Sequence, residues 1–224
     1  MVGAATRLAD AMAKILGSFK SGVRAAFDPM GRALVRAGVS PDVVTIAGTV
    51  AVVAASVGLL TRGYLVAATI VITLCALLDV LDGSMARARG RSTRFGALLD
   101  STMDRVADGA VFGCLVWWFA ASDQWWSAGA GMVGLVGGQV VSYVKARAEG
   151  LGFTCDVGVA ERLERLVLVG IGGLLTGFGV DWGLPAATWL LAVLTLITVI
   201  QRLEHVRRQE QRRSGVDESL GEQA

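Results

Sequence analysis

Residues 79–105 read DVLDGSMARARGRSTRFGALLDSTMDR and set four aspartates, Asp79, Asp82, Asp100 and Asp104, against strongly apolar segments. On helices the first pair is three residues apart and the second four, so each pair shares one face. A carboxylate at a bilayer-spanning helix centre costs about 2.5–3.5 kcal/mol, less toward the ends, so four of them serve something other than stability. Four ionised carboxylates also repel one another. The simplest neutraliser is a hard divalent cation with oxygen ligands, Mg²⁺ or Mn²⁺. One or two such ions can bridge phosphate oxygens and stabilise both the attacking and the leaving oxygen, which makes phosphoryl-type transfer the natural chemistry.

The small residues around the carboxylates fit a bulky ligand. Gly83 follows Asp82 and Gly96 lies one turn before Asp100, so a substrate can approach both backbones closely. Ala86 keeps the same face clear, and Arg87, one turn beyond Gly83, can hold a phosphate or a carboxylate. Arg89, Arg91 and Arg94 read as basic residues on the cytoplasmic side of a membrane hairpin. Cys75, Cys114 and Cys155 have no CxxC spacing, so neither a zinc site nor a disulfide framework is supported.

The elements that must carry these groups are membrane helices. The chain is 54% hydrophobic and 18% charged, too few charges to cover a soluble globule of 224 residues. An all-α, polytopic membrane protein is predicted, with six transmembrane helices over about 42–61, 64–88, 94–121, 124–148, 159–178 and 185–206. Before them, Val23, Phe27, Met30 and Leu34 recur at helical spacing and predict an amphipathic interfacial helix. The organisation is thus an N-terminal segment 1–40, a transmembrane domain 41–208, and a polar tail 209–224 predicted to be disordered. Arg7, Asp10 and Lys14 interrupt the apolar start, so no secretory signal is expected.

Lys and Arg crowd the N-terminal segment, the second and fourth connections and the C-terminus, while Trp117, Trp118, Trp125, Trp126 and Trp182 crowd the opposite ends. Both termini and the aspartates are therefore expected on the cytoplasmic side of the cell membrane. A net charge of +2 implies no nucleic-acid partner.

Asp79, Asp82, Gly83, Ala86, Arg87, Gly96, Asp100 and Asp104 together spell D-x2-D-G-x2-A-R-x8-G-x3-D-x3-D. This resembles, without a departure, the signature of the CDP-alcohol phosphotransferases. The resemblance implies six transmembrane helices, a homodimer, and a cytoplasmic divalent-metal site, expected to hold two ions. It also implies that an alcohol hydroxyl attacks the β-phosphorus of a CDP-linked lipid and CMP leaves. By position, Asp79, Asp82 and Asp100 would be the main metal ligands. Asp104 would lie near the metals as general base, and Gly83, Ala86 and Arg87 would line the cytidine-diphosphate pocket.

A narrower resemblance spans most of the chain: SPDVVTIAGT, RSTRFGALLDSTMDRVADGAVF, SYVKARAE, ERLERLVLV and QRLEHV are similar to the bacterial phosphatidylinositol-phosphate synthases. It implies CDP-diacylglycerol as donor and inositol 1-phosphate as acceptor, with Pro41, Asp42, Val43 and Thr45 helping to hold the nucleotide. Ser142, Lys145, Arg165 and Arg202 would bind the inositol-bound phosphate. Placement at cytoplasmic helix ends suits the three cations equally well as orienting charges. Phosphatidylglycerol-phosphate synthase, with glycerol 3-phosphate as acceptor, shares the eight-residue signature. A cation channel or transporter with buried aspartates is the rival from another class, and the strict glycine and arginine placement counts against it.

Overall fold

The computed structural model describes residues 28–88 and 93–221, and of 77–83, 86–88 and 214–221 the backbone alone. Among them, regular structure is entirely helical. Helix α1 covers residues 28–36 and α2 Pro41–Ala55, continued by a π-helical turn Ser56–Leu60. Then come α3 Leu65–Ala88, α4 Arg94–Ala121, α5 Trp125–Gly150, α6 Arg162–Gly177 and α7 Gly183–Gly221. Val23 and Phe27 of the expected interfacial helix lie outside the described residues, whereas Met30 and Leu34 lie on α1.

Among the described residues, three helices are long and apolar enough to cross a membrane: Pro41–Leu60, Trp125–Gly150 and Gly183–Arg213. Of the other three expected spans, α4 carries Asp100, Asp104, Arg105 and Asp108, which depress its hydropathy, and α6 has only 16 residues. The described apolar part of α3 is Leu65–Ala76.

The chain divides into two compact units. The first contains the described residues up to Ala54 and Val71–Ala107. In it, α1 ends in a left-handed Gly38 (φ +80°), with Val39 N–H bonded to the Leu34 carbonyl and Gly38 N–H to that of Val35. Gly31 lets α1 lie directly on α3, since a Cβ there would stand 2.8 Å from Ser84 Oγ and 3.2 Å from the Met85 nitrogen. Ser84 donates a hydrogen bond to Asp28 across the same contact. Pro41 opens α2, where its missing N–H costs nothing. Thr93 caps α4 by accepting the Gly96 N–H at 2.9 Å.

The second unit contains Ala55–Ile70 and the chain from Asp108. Its core includes Phe112, Leu115 and Phe119 of α4, Val141 of α5, and Leu184 and Leu191 of α7. The buried face of α7 runs Leu184, Thr188, Leu191, Thr195, Thr198 and Arg202, alternating four and three residues as a helix-packing seam does. Gly131, Gly134 and Gly137 of α5 meet Thr188, Leu191 and Thr195 in turn, so α5 and α7 run parallel and in close contact. Thr188 and Thr198 satisfy their hydroxyls on the carbonyls four residues back, Leu184 and Leu194, so polar side chains fit an apolar seam.

α6 and α7 form a hairpin tightened at Gly172, where a Cβ would meet the Gly183 carbonyl oxygen at 3.0 Å. Helix α7 does not stop at 208, as expected from its polar composition, but continues to Gly221. Contacts offset the weak propensity: Glu204 pairs with Arg208, and Gln209 and Arg213 hold residues 152–154.

Candidate active site

In the first unit, Asp79, Asp82, Gly83, Ala86 and Arg87 all lie on the C-terminal half of α3, with their backbone helical. Gly96, Asp100 and Asp104 follow on α4. Asp100 is exposed, Asp104 is half-buried, and Asp104 Oδ2 lies 3.8 Å from an Arg105 guanidinium nitrogen. No cluster of three or more metal-binding side chains forms among the described residues, which leave out the side chains of Asp79 and Asp82. The chemistry of the donor set fits a hard divalent ion, because every candidate ligand is a carboxylate.

The nucleotide candidates stand at the start of α2, and the structure brings them to the signature. A Cβ on Gly96 would lie 3.5 Å from Asp42 Oδ1, so this glycine lets the first turn of α2 approach the first turn of α4. Thr45 is buried, one turn after Pro41, and donates to the Pro41 carbonyl at 3.2 Å. Pro41, Asp42 and Thr45 thus share a face. Val43 turns away from it and is 58% exposed.

In the second unit, two helices and a loop converge on α5 between Gly138 and Lys145. Ser142 donates to the Gly138 carbonyl at 3.1 Å. The Arg165 guanidinium lies over the same Gly138, where a Cβ would stand 3.3 Å from its Nε. Arg165 is 1% exposed and donates to Asp108 Oδ2 at 2.7 Å and to the Ala160 carbonyl at 3.3 Å. Arg202 ends the α7 seam, bonding the carbonyls of Val141 (2.7 Å) and Val157 (2.8 Å) and Glu161 Oε1 (3.4 Å). Lys145 is the more open cation, paired with Asp156 and 3.8 Å from Glu149. The structure therefore assembles Ser142, Lys145, Arg165 and Arg202 in one place.

Two carboxylates in this cluster carry no signal in the signature. Asp108 is 3% exposed and holds Arg165 and, at 3.3 Å, Arg162. Its position one turn after Asp104, which continues the 100, 104, 108 spacing on α4, is the clue the sequence offers. Removing one partner of such a buried pair costs about 3–5 kcal/mol. Asp156 lies in the connection between α5 and α6. The Lys145 ammonium, by hydrogen bond first and charge second, and then the Arg202 charge hold its carboxyl below the usual range. Val157, whose carbonyl holds Arg202, also lines an open cleft of about 400 Å³ with Gln201, Glu204, His205 and Arg208.

Residues 38–201 match the family model of CDP-alcohol phosphatidyltransferase. The chain is 51% identical over 184 residues to the phosphatidylinositol phosphate synthase of Mycobacteroides abscessus, covering 80% of this chain and 83% of that one. It is 48% identical over 192 residues to that of Mycobacterium tuberculosis, covering 82% and 88%. Among solved structures, the Mycobacterium tuberculosis phosphatidylinositol phosphate synthase with CDP-DAG bound matches with a TM-score of 0.78 at 46% identity, over 80% of this chain and 92% of that one. The structure of that synthase with manganese and citrate matches with a TM-score of 0.77 at the same identity, over 80% and 88%. A complete signature on α3 and α4, within a family match that runs from the end of α1 into α7, makes the chain a member of the CDP-alcohol phosphatidyltransferase family.

Proposed function

We propose that the chain is a phosphatidylinositol-phosphate synthase, transferring the phosphatidyl group of CDP-diacylglycerol to inositol 1-phosphate with release of CMP. The observation that carries a phosphate-bearing acceptor is the convergence of Ser142, Lys145, Arg165 and Arg202 on one stretch of α5. A phosphate-bearing acceptor needs such a cationic site, and a neutral alcohol does not. The names of the relatives support the same acceptor.

In this reading Asp79, Asp82, Asp100 and Asp104 hold Mg²⁺ or Mn²⁺, two ions per site, and the solved relative with manganese supports that chemistry. When bound, the metal offsets diphosphate charge and stabilises the departing CMP oxygen. Pro41, Asp42, Val43, Thr45, Gly83, Ala86 and Arg87 bind the CDP-diacylglycerol, and Arg87 supplies its guanidinium to a phosphate oxygen. Asp104 accepts the proton of the attacking hydroxyl as the new oxygen–phosphorus bond forms and the bond to CMP breaks. The same reading gives the chain six spans, an interfacial N-terminal helix, a homodimeric state, and a plasma-membrane location with its site and termini cytoplasmic.

The test supplies purified protein with labelled CDP-diacylglycerol, Mg²⁺ and, separately, inositol 1-phosphate, free inositol or glycerol 3-phosphate. CMP release is expected with inositol 1-phosphate. Release with glycerol 3-phosphate alone would overturn the acceptor assignment.

A further inference from the structure

The connection between α5 and α6 is pinned to α7 on both sides of Asp156. Before it, Arg213 bonds the Gly152 carbonyl at 2.6 Å and covers the Phe153 ring, and Gln209 takes the Thr154 N–H and returns a bond to its carbonyl at 2.7 Å. After it, Arg202 holds the Val157 carbonyl, and Thr198 Oγ1 accepts the N–H groups of Val159 and Ala160 at 3.3 and 3.0 Å. Cys155 is fully buried, and the neighbouring Asp156 side chain is 77% exposed where it meets Lys145.

The cations of the cluster differ in what holds them. Arg165 is sealed against buried Asp108, and Arg202 keeps two backbone carbonyls besides its longer contact to Glu161. Lys145 is 36% exposed, and its close partner is a carboxylate standing mostly in solvent.

We propose that Asp156 is a built-in stand-in for the acceptor's phosphate, holding the Lys145 ammonium between turnovers and yielding it to the incoming phosphate. The inference rests on the reading that Lys145 binds that phosphate. The pinned backbone keeps the carboxylate beside the ammonium with little further loss of chain entropy, and exposure of its side chain leaves room to swing into water. A phosphate dianion carries twice the charge of Asp156 and outcompetes it for Lys145. A neutral alcohol offers the ammonium nothing in exchange, so Asp156 sets acceptor specificity by charge.

The experiment measures KM for inositol 1-phosphate, KM for CDP-diacylglycerol and kcat in Asp156→Asn, Asp156→Ser, Asp156→Glu, Lys145→Ala and the Lys145→Ala/Asp156→Asn double variant. Because the pair is exposed, Asp156→Asn and Asp156→Ser are expected to lower the inositol 1-phosphate KM about two- to fivefold. Both kcat and the lipid KM should stay within about twofold, and Asp156→Glu should keep the wild-type KM. Lys145→Ala should raise that KM, and the double variant should match it. An unchanged or raised KM in Asp156→Asn, where Lys145→Ala does raise it, overturns the inference and leaves Lys145 as a phosphate ligand. No change in Lys145→Ala removes that ligand role, and the inference falls with it.

Discussion

Asp104 carries two of the roles proposed above, metal ligand and base. It stands one turn from Asp100, half-buried, with a guanidinium nitrogen of Arg105 3.8 Å from its carboxylate. In the proposed role of base it takes the proton of the attacking hydroxyl. Asp104→Asn is expected to lower kcat by about 10²- to 10⁴-fold while binding of labelled CDP-diacylglycerol survives. If lipid binding disappears with turnover, the residue is chiefly a metal ligand. The four aspartates were legible in the sequence because their spacing and apolar surroundings are local facts. Asp108 and Asp156 were not, because their meaning comes from partners 54 to 57 and 11 residues away in the chain.

At the scale of elements, helix limits were largely readable from hydropathy and punctuation. The expected 94–121 is found as Arg94–Ala121, 64–88 as Leu65–Ala88, and 124–148 as Trp125–Gly150. The C-terminal stretch failed because composition predicts order only when no tertiary partner compensates, and α7 finds such partners in residues 152–154. Helix pairing was invisible for a similar reason: the glycines of α5 acquire a register only once Thr188, Leu191 and Thr195 face them. At Gly172 the opposing atoms include backbone, which cannot give way. Gly172→Ala should therefore destabilise the α6–α7 hairpin by about 1–3 kcal/mol. Gly129 has open space at its Cβ position, and Gly129→Ala should be neutral or stabilising by up to about 1 kcal/mol. Thermal melts in one detergent compare the two, and equal effects would refute the close-contact account.

For the molecule as a whole, the cost of its chemistry appears in its hydropathy. Helix α4, whose three aspartates fall within nine residues, is less apolar than the stretches of α2, α5 and α7 that are long and apolar enough to cross a membrane. Chelation is expected to abolish CMP release, and added Mg²⁺ or Mn²⁺ to restore it. Activity that survives exhaustive chelation would exclude the metal role assigned to the aspartates.

The length of α7 has a further consequence. Its 39 residues, Gly183–Gly221, measure about 58 Å, against a hydrocarbon core of about 30 Å. The turns from Gln201 onward, rich in Arg, Glu and Gln, therefore extend beyond an apolar stretch that is itself about one span long. Gln209 and Arg213 grip the α5–α6 connection at that end. Loss of the helical turns after Arg202 would therefore unfasten the connection that carries Asp156, not merely trim a tail.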